Sequence, residues 1–151
     1  MPRTGQFVLL RHETPAGYPR GLHWDFMIEV DGALRTWALA EFPTDGRVID
    51  AEALADHRIA YLEFEGQISG GRGAVTRCDR GTFATISQIE DELFLDLRGE
   101  QLIGRVSLIQ DRQSIAPKTS EPGAAQRWKF RFTSGRSAIG SPKGRGVGLG
   151  E

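Results

Sequence analysis

Cysteine and long apolar runs are the features that this 151-residue sequence has least of. Cys78 is the single cysteine, which excludes an intramolecular disulfide and is compatible with a reducing cytoplasm. No apolar run approaches the roughly 20 residues that a membrane-spanning helix needs, and residues 1–6 contain no apolar signal segment. We therefore expect a cytoplasmic protein with no membrane partner.

Excess charge is also small, with a net charge of −1. Arg136, Lys143 and Arg145 against Glu151 give residues 134–151 a net charge of +2, which leaves −3 for the rest of the chain. The net charge of −3 outside residues 134–151 excludes a general binder of polyanions. Any contact with nucleic acid is therefore expected to be local.

Glycine is abundant, at 19 residues, and the hydrophobic fraction of 39% is low, which together favour a turn-rich β protein over a helical bundle. Asp31-Gly32 separates two strand-like runs, Leu22–Val30 and Ala33–Leu39, and predicts a tight hairpin. Asp50 is the expected N-cap of one short helix, Ala51–Asp56. The other predicted strands are Phe7–Arg11, Ile59–Glu65, Gly73–Cys78, Thr82–Ser87, Leu93–Arg98, Leu102–Gln110 and Trp128–Thr133. A turn is predicted at Asp79-Arg80-Gly81.

Short strands joined by tight turns predict an all-β fold, either an antiparallel barrel or a sandwich, with one short helix. We expect one folded domain over residues 1–133. Residues 111–125 are predicted to form a long exposed loop, and the glycine-rich residues 134–151 a disordered tail.

Strand Leu22–Val30 has two chemically different faces, because alternate residues of a strand point in opposite directions. The face that has to be buried consists of Trp24, Phe26, Ile28 and Val30. The face that carries titratable groups consists of His23, Asp25, Met27 and Glu29. If the first strand pairs with this one, His12 comes beside His23 and Asp25.

Two imidazoles and one carboxylate form an open ligand set that is typical of catalytic metal sites, with manganese, zinc and iron all left open. Glu29 is a candidate for orienting a ligand imidazole. His57 is a candidate general acid or phosphate donor near the metal.

Motifs spread over residues 6–132 resemble the 3′-phosphoesterase domain of bacterial DNA ligase D. They are His12, Leu22–Glu29, Asp31–Leu34, Thr36–Ala38, Asp56-His57, Tyr61, Phe64–Gly66, Asp79–Phe83, Leu102–Leu108 and Arg127-Trp128. The resemblance implies a compact antiparallel β-barrel that removes a 3′ ribonucleoside and then a 3′ phosphate from nucleic-acid ends during DNA repair. It also implies a manganese ion, with zinc as the alternative.

On the matching positions, the resemblance implies that His12, His23 and Asp25 bind the metal and that His57 and Tyr61 act on the scissile phosphate. It implies a divergent, stand-alone member of the family. Any ligase or polymerase that completes end joining would then be a separate protein.

Three departures from the family pattern remove positive charge or reshape a loop. Met27 stands where the family has an arginine, Glu41 where it has a lysine, and Ser69–Gly73 replaces a longer glycine-rich segment. Arg72 and Arg58 are the candidate replacements for phosphate binding. The alternative is a catalytically weak or retuned metal-binding barrel that serves as a nucleic-acid-end or protein interaction module, or that acts on a small phosphate ester.

Overall fold

The computed structural model describes residues 3–111 and 127–135, which form nine β-strands and one 3₁₀ helix. The strands are β1 (Thr4–Glu13), β2 (His23–Val30), β3 (Ala33–Leu39), β4 (Val48–Arg58), β5 (Gly66–Gln67), β6 (Ala74–Ile89), β7 (Glu92–Gly99), β8 (Ile103–Gln110) and β9 (Arg127–Ser134). The 3₁₀ helix is Ile59–Leu62, too short to cross a membrane, and the described residues contain no other helix.

Eight of these strands close into an antiparallel barrel, which the resemblance implies and which is one of the two folds that the strand pattern predicts. The order is β1-β2-β3-β4-β9-β8-β7-β6, and β6 returns to pair with β1. Strand β6 can serve both neighbours because it is 16 residues long. Its first part pairs with β1 and its last part with β7, while β5 adds two residues to the β6 edge.

The hairpin between β2 and β3 is confirmed. Asp31 and Gly32 both have left-handed backbone conformations, with φ of 52° and 82°. Two such residues match the twist of antiparallel strands, and Asp and Gly tolerate them best. Val30 and Ala33 therefore face each other, and the register of the whole β2–β3 pair follows from this turn.

The predicted helix Ala51–Asp56 is wrong, because these residues lie within β4. The helix propensity of these residues is outweighed by strand pairing on both sides, because β4 forms ladders with β3 and with β9. The short helix lies just beyond, at Ile59–Leu62, within the stretch predicted as strand Ile59–Glu65.

The turn predicted at Asp79-Arg80-Gly81 is also wrong, because β6 runs through it with a bulge at Cys78. Asp79 is buried and acts as an acceptor for a neighbouring loop. Its carboxylate oxygens accept hydrogen bonds from the backbone N–H groups of Arg80, Glu100, Gln101 and Leu102. Cys78 itself is a half-buried free thiol whose pKa burial raises, which agrees with a structural role.

Both faces of β2 are buried, against two separate clusters. The main core fills the barrel interior and includes Phe26 and Ile28 of β2 together with Trp37 and Trp128. A second cluster lies on the outer face of the barrel wall, beneath the 3₁₀ helix. It consists of Val8, Leu10, Met27, Leu34, Leu62, Ile68 and Val75.

The predicted loop at 111–125 and the predicted tail at 134–151 fall almost entirely outside the described residues. Asp111, Ser134 and Gly135 are the exceptions, and Ser134 ends β9. The domain boundary at residue 133 and the cytoplasmic location stay predictions.

Candidate metal centre

The pairing of β1 with β2 places His12 directly opposite His23, as the sequence predicts, with Asp25 two residues further along β2. Three donor atoms converge. His12 Nδ1 lies 3.2 Å from His23 Nε2 and 3.3 Å from Asp25 Oδ2, and His23 Nε2 lies 3.1 Å from Asp25 Oδ1. These separations are those of neighbouring ligands around one cation with metal–ligand bonds of about 2.1 Å.

A backbone carbonyl fixes the outward nitrogen of each imidazole. His12 Nε2 donates to the carbonyl of Arg72 and His23 Nδ1 to that of Gly21, both at 2.8 Å. The neutral rings therefore present lone pairs at His12 Nδ1 and His23 Nε2, which face each other. Two lone pairs at this separation need a proton or a cation between them.

The carboxylate of Asp25 completes the argument for a cation. Asp25 is 2% exposed, and its Oδ1 atom has no hydrogen-bond partner in the described part of the chain. Burial alone would raise the pKa of Asp25, but the adjacent imidazoles of His12 and His23 outweigh it and lower the pKa to about 2. The contact with this carboxylate is the largest influence on His12 and raises its pKa. A buried anion with an unpartnered oxygen and two nitrogen donors fits a divalent metal.

Glu29 does not orient either imidazole. Although Glu29 shares a strand face with His23, its Oε1 atom accepts a hydrogen bond from the backbone N–H of Gln6 at 3.0 Å. The carbonyls of Gly21 and Arg72 orient the two imidazoles instead, which sequence reasoning missed.

A cavity of about 120 Å³ joins the three ligands to most of the other predicted site residues. Its lining includes His12, His23, Asp25, His57, Tyr61 and Arg72. Arg58 lies outside it and lines a neighbouring cavity of about 220 Å³, which shares Tyr61 and Arg72 with the first.

His57 and Tyr61 reach the cavity from the end of β4 and from the 3₁₀ helix. Their ring centroids are 5.6 Å apart in an edge-to-face arrangement. Nδ1 of His57 donates to the carbonyl of Ala55 at 3.0 Å, which leaves Nε2 available.

The two substituted positions of the family pattern lie in different surroundings. Met27 is 1% exposed, packs in the outer cluster and is part of the cavity lining. Glu41 is exposed and paired with Arg47 through both carboxylate oxygens, and it is absent from the cavity lining. A carboxylate at this position would repel a phosphate, but Arg47 balances the charge of Glu41.

Two cavity residues come from the loop between β1 and β2. They are Tyr18 and Arg20. Arg20 Nη2 contacts Glu52 Oε1 at 2.7 Å. The position of Arg20 three residues before a predicted metal ligand is the signal that could have found it.

Comparison with known proteins agrees with this geometry. The model of the DNA ligase D 3′-phosphoesterase domain family matches residues 11–110. The chain belongs to this family.

Relatives of this phosphoesterase-family chain include three curated proteins. The multifunctional non-homologous end joining protein LigD of Pseudomonas aeruginosa is 33% identical over 130 residues, or 80% of this chain and 15% of that protein. The non-homologous end joining DNA repair protein LigD of Mycobacterium tuberculosis is 33% identical over 121 residues, or 72% and 15%. LigD of Mycolicibacterium smegmatis is 32% identical over 133 residues, or 74% and 16%. The chain thus spans about 15% of the length of the curated relatives it matches.

Proposed function

We propose that this protein is a metal-dependent phosphoesterase that removes a 3′ phosphate or a 3′ ribonucleotide from nucleic-acid ends in DNA repair. The observation that carries the proposal is the single cavity that joins His12, His23 and Asp25 to His57 and Tyr61. Membership of the 3′-phosphoesterase family supports the reaction, and the end-joining role of the relatives supports the substrate.

A divalent metal, for which the family resemblance favours Mn²⁺ over Zn²⁺, would supply Lewis-acid polarisation of the phosphoryl oxygen. His12, His23 and Asp25 would hold it. One carboxylate and two neutral imidazoles leave half of the positive charge of such an ion uncancelled, which suits an anionic substrate.

His57 and Tyr61 would act on the side of the phosphate away from the three ligands. With Nδ1 held by Ala55, a protonated His57 presents its Nε2 proton to a phosphoryl or leaving oxygen. The Tyr61 hydroxyl is a second donor for charge that develops on the phosphate. Arg72 would bind phosphate oxygens, while Arg58 would contact the substrate beyond the cavity.

The direct test is release of inorganic phosphate from a 3′-phosphorylated primer–template, with and without Mn²⁺. We expect Mn²⁺-dependent release in the wild type and none in His23→Ala, which should also lose Mn²⁺ binding. His57→Ala is the matched control, because it should bind Mn²⁺ normally and turn over slowly. Absence of release from a wild type that binds one equivalent of Mn²⁺ would refute the proposed reaction.

One observation favours the second candidate, a weak or retuned barrel that binds ends or proteins. The cation expected two residues after Asp25 is replaced by a buried methionine, Met27. A wild type that binds 3′-phosphorylated ends without releasing phosphate would favour this role, and separate ligase or polymerase proteins would be its natural partners.

A further inference from the structure

The missing strand arginine leaves the source of positive charge in the cavity unexplained. Met27 lines the cavity and packs in the outer apolar cluster, and its thioether carries no charge, so β2 offers no cation there. A phosphate monoester carries up to two negative charges, and its oxygens are matched best by guanidinium groups. Any such group must come from the loops around the cavity.

Two arginines line the cavity, Arg72 from the loop before β6 and Arg20 from the loop between β1 and β2. Arg72 has part of its guanidinium engaged, because Nε donates to the carbonyl of Ser69 at 2.8 Å. Arg20 is the other charged donor on this lining, and the family pattern assigns it nothing.

The backbone around Arg20 is tied to the metal centre. Thr14 Oγ1 donates to the carbonyl of Arg20 at 2.8 Å, and the next carbonyl, of Gly21, accepts from His23 Nδ1 at the same distance. The Arg20 side chain thus belongs to the residue directly before the one whose carbonyl orients a candidate ligand imidazole. The cation and the three ligands are held by a common segment of chain.

Glu52 on β4 binds the Arg20 side chain and leaves part of it exposed. The 2.7 Å contact uses Arg20 Nη2, and 34% of the Arg20 side chain is exposed. A guanidinium has five N–H donors, so one contact with a carboxylate leaves others for a ligand.

Arg20 also lies at the point where the cavity meets a larger space. A groove of about 820 Å³ is lined by residues of β3, β4 and β9 and shares Arg20 and His23 with the smaller cavity. The small cavity has room for a terminal phosphoryl group, and the groove has room for the chain that carries it.

We propose that Arg20 is a phosphate-binding residue that grips the terminal phosphoryl group from the groove side, opposite Arg72, in place of the absent strand arginine. The assignment of a nucleic-acid 3′ end as the substrate rests on the proposed function. The assignment of Arg20 to an anion site rests on the cavity alone.

The test compares wild type with Arg20→Gln and Arg20→Lys. Arg98→Gln is the control, since it removes the same charge from β7, where Arg98 lies 4.0 Å from Asp96 with 61% of its side chain exposed. Inorganic phosphate binding to the Mn²⁺-loaded proteins is measured by titration calorimetry, and kcat/KM is measured on a 3′-phosphorylated oligonucleotide.

Loss of a charge-assisted hydrogen-bonding group predicts a fall of about 10- to 100-fold in phosphate affinity and in kcat/KM for Arg20→Gln. Arg20→Lys should recover part of this, because it restores the charge without the bidentate geometry. Mn²⁺ affinity and melting temperature should stay at wild-type values in both variants. Arg98→Gln should leave every quantity unchanged.

Equal phosphate affinity in wild type and Arg20→Gln would overturn the proposal whether or not the protein is active. So would a wild type that binds no phosphate. A wild type that releases no phosphate from the oligonucleotide, yet binds inorganic phosphate in a manner that depends on Arg20, would refute the proposed reaction and support the anion site.

Discussion

Asp25→Asn separates the contribution of the metal centre to folding from its contribution to metal binding. The substitution keeps the shape of the side chain and removes its charge. It is thus close to a wild type in which Asp25 is protonated, and it leaves the imidazoles of His12 and His23 without their anionic partner at 3.3 Å and 3.1 Å.

The magnitude follows from the pKa of Asp25, which falls from 3.8 to about 2 in the folded protein. A tenfold change in a protonation equilibrium corresponds to about 1.4 kcal/mol, so the ionised carboxylate stabilises the metal-free fold by about 2 kcal/mol. Since the folded pKa is depressed, this stabilisation is present above pH 3.8 and is lost as the pH falls through the folded value. Asp25→Asn should lack it most clearly near pH 5.5, where the His12 imidazole is protonated and pairs with the carboxylate.

The assay is urea unfolding followed by tryptophan fluorescence, at pH 5.5 without metal and at pH 7 with and without Mn²⁺. Mn²⁺ at 100 times its Kd should stabilise the wild type by a further ~2.7 kcal/mol and should leave Asp25→Asn unaffected. Glu29→Gln is the matched control, because Glu29 lies on the same face of β2 and bonds only the Gln6 backbone among the described contacts. An Asp25→Asn protein that is as stable as wild type and still responds to Mn²⁺ would refute the reasoning.

Three other perturbations test the surroundings of the centre. The contact with Asp25 raises the pKa of His12, so the stabilisation that this contact gives the metal-free protein should be complete below pH 6.5 and lost as the pH rises through the folded pKa. The Mn²⁺ affinity should increase over the same range. Urea unfolding and Mn²⁺ titration from about pH 5.5 to 8.5 measure both quantities. Gly73→Ala should destabilise the fold by about 3 kcal/mol in thermal unfolding, since the added Cβ would lie 2.0 Å from the Glu13 carbonyl oxygen at a φ of +94°. Gly71→Ala, at a φ of +68° with open space around it, should cost only about 1 kcal/mol, and equal losses would contradict the clash. Met27→Arg should lower the free energy of unfolding by about 3 kcal/mol or more in the same thermal assay, because it buries an unpaired charge. A stable variant with faster phosphate release would show that the cavity does accept a cation from β2.

Features set by short-range sequence patterns were predictable. The Asp31-Gly32 turn fixes the β2–β3 register, and the alternation along β2 puts His23 and Asp25 on one face. The remaining step, pairing β1 with β2, needed only the assumption of an antiparallel neighbour. The three candidate metal ligands followed from these local rules.

Features set by long-range partners were not predictable. Ala51–Asp56 has helix-forming residues but is held extended by strands from distant parts of the chain. Asp79 reads as a turn residue, yet its carboxylate is satisfied by amides about 20 residues later in the chain. Glu29 shares a face with His23 but lies six residues away, roughly 20 Å along an extended strand.

The two faces of strand β2 lie in different environments. Its even-numbered residues line the barrel interior and its odd-numbered residues face the metal cavity and the outer cluster. Because the backbone ladders hold the two faces apart, the difference between Met27 and the arginine of the family pattern changes the cavity face and leaves the barrel lining as it was. A change on the cavity face therefore does not require the barrel interior to be rebuilt, although it has to be accommodated by the outer cluster.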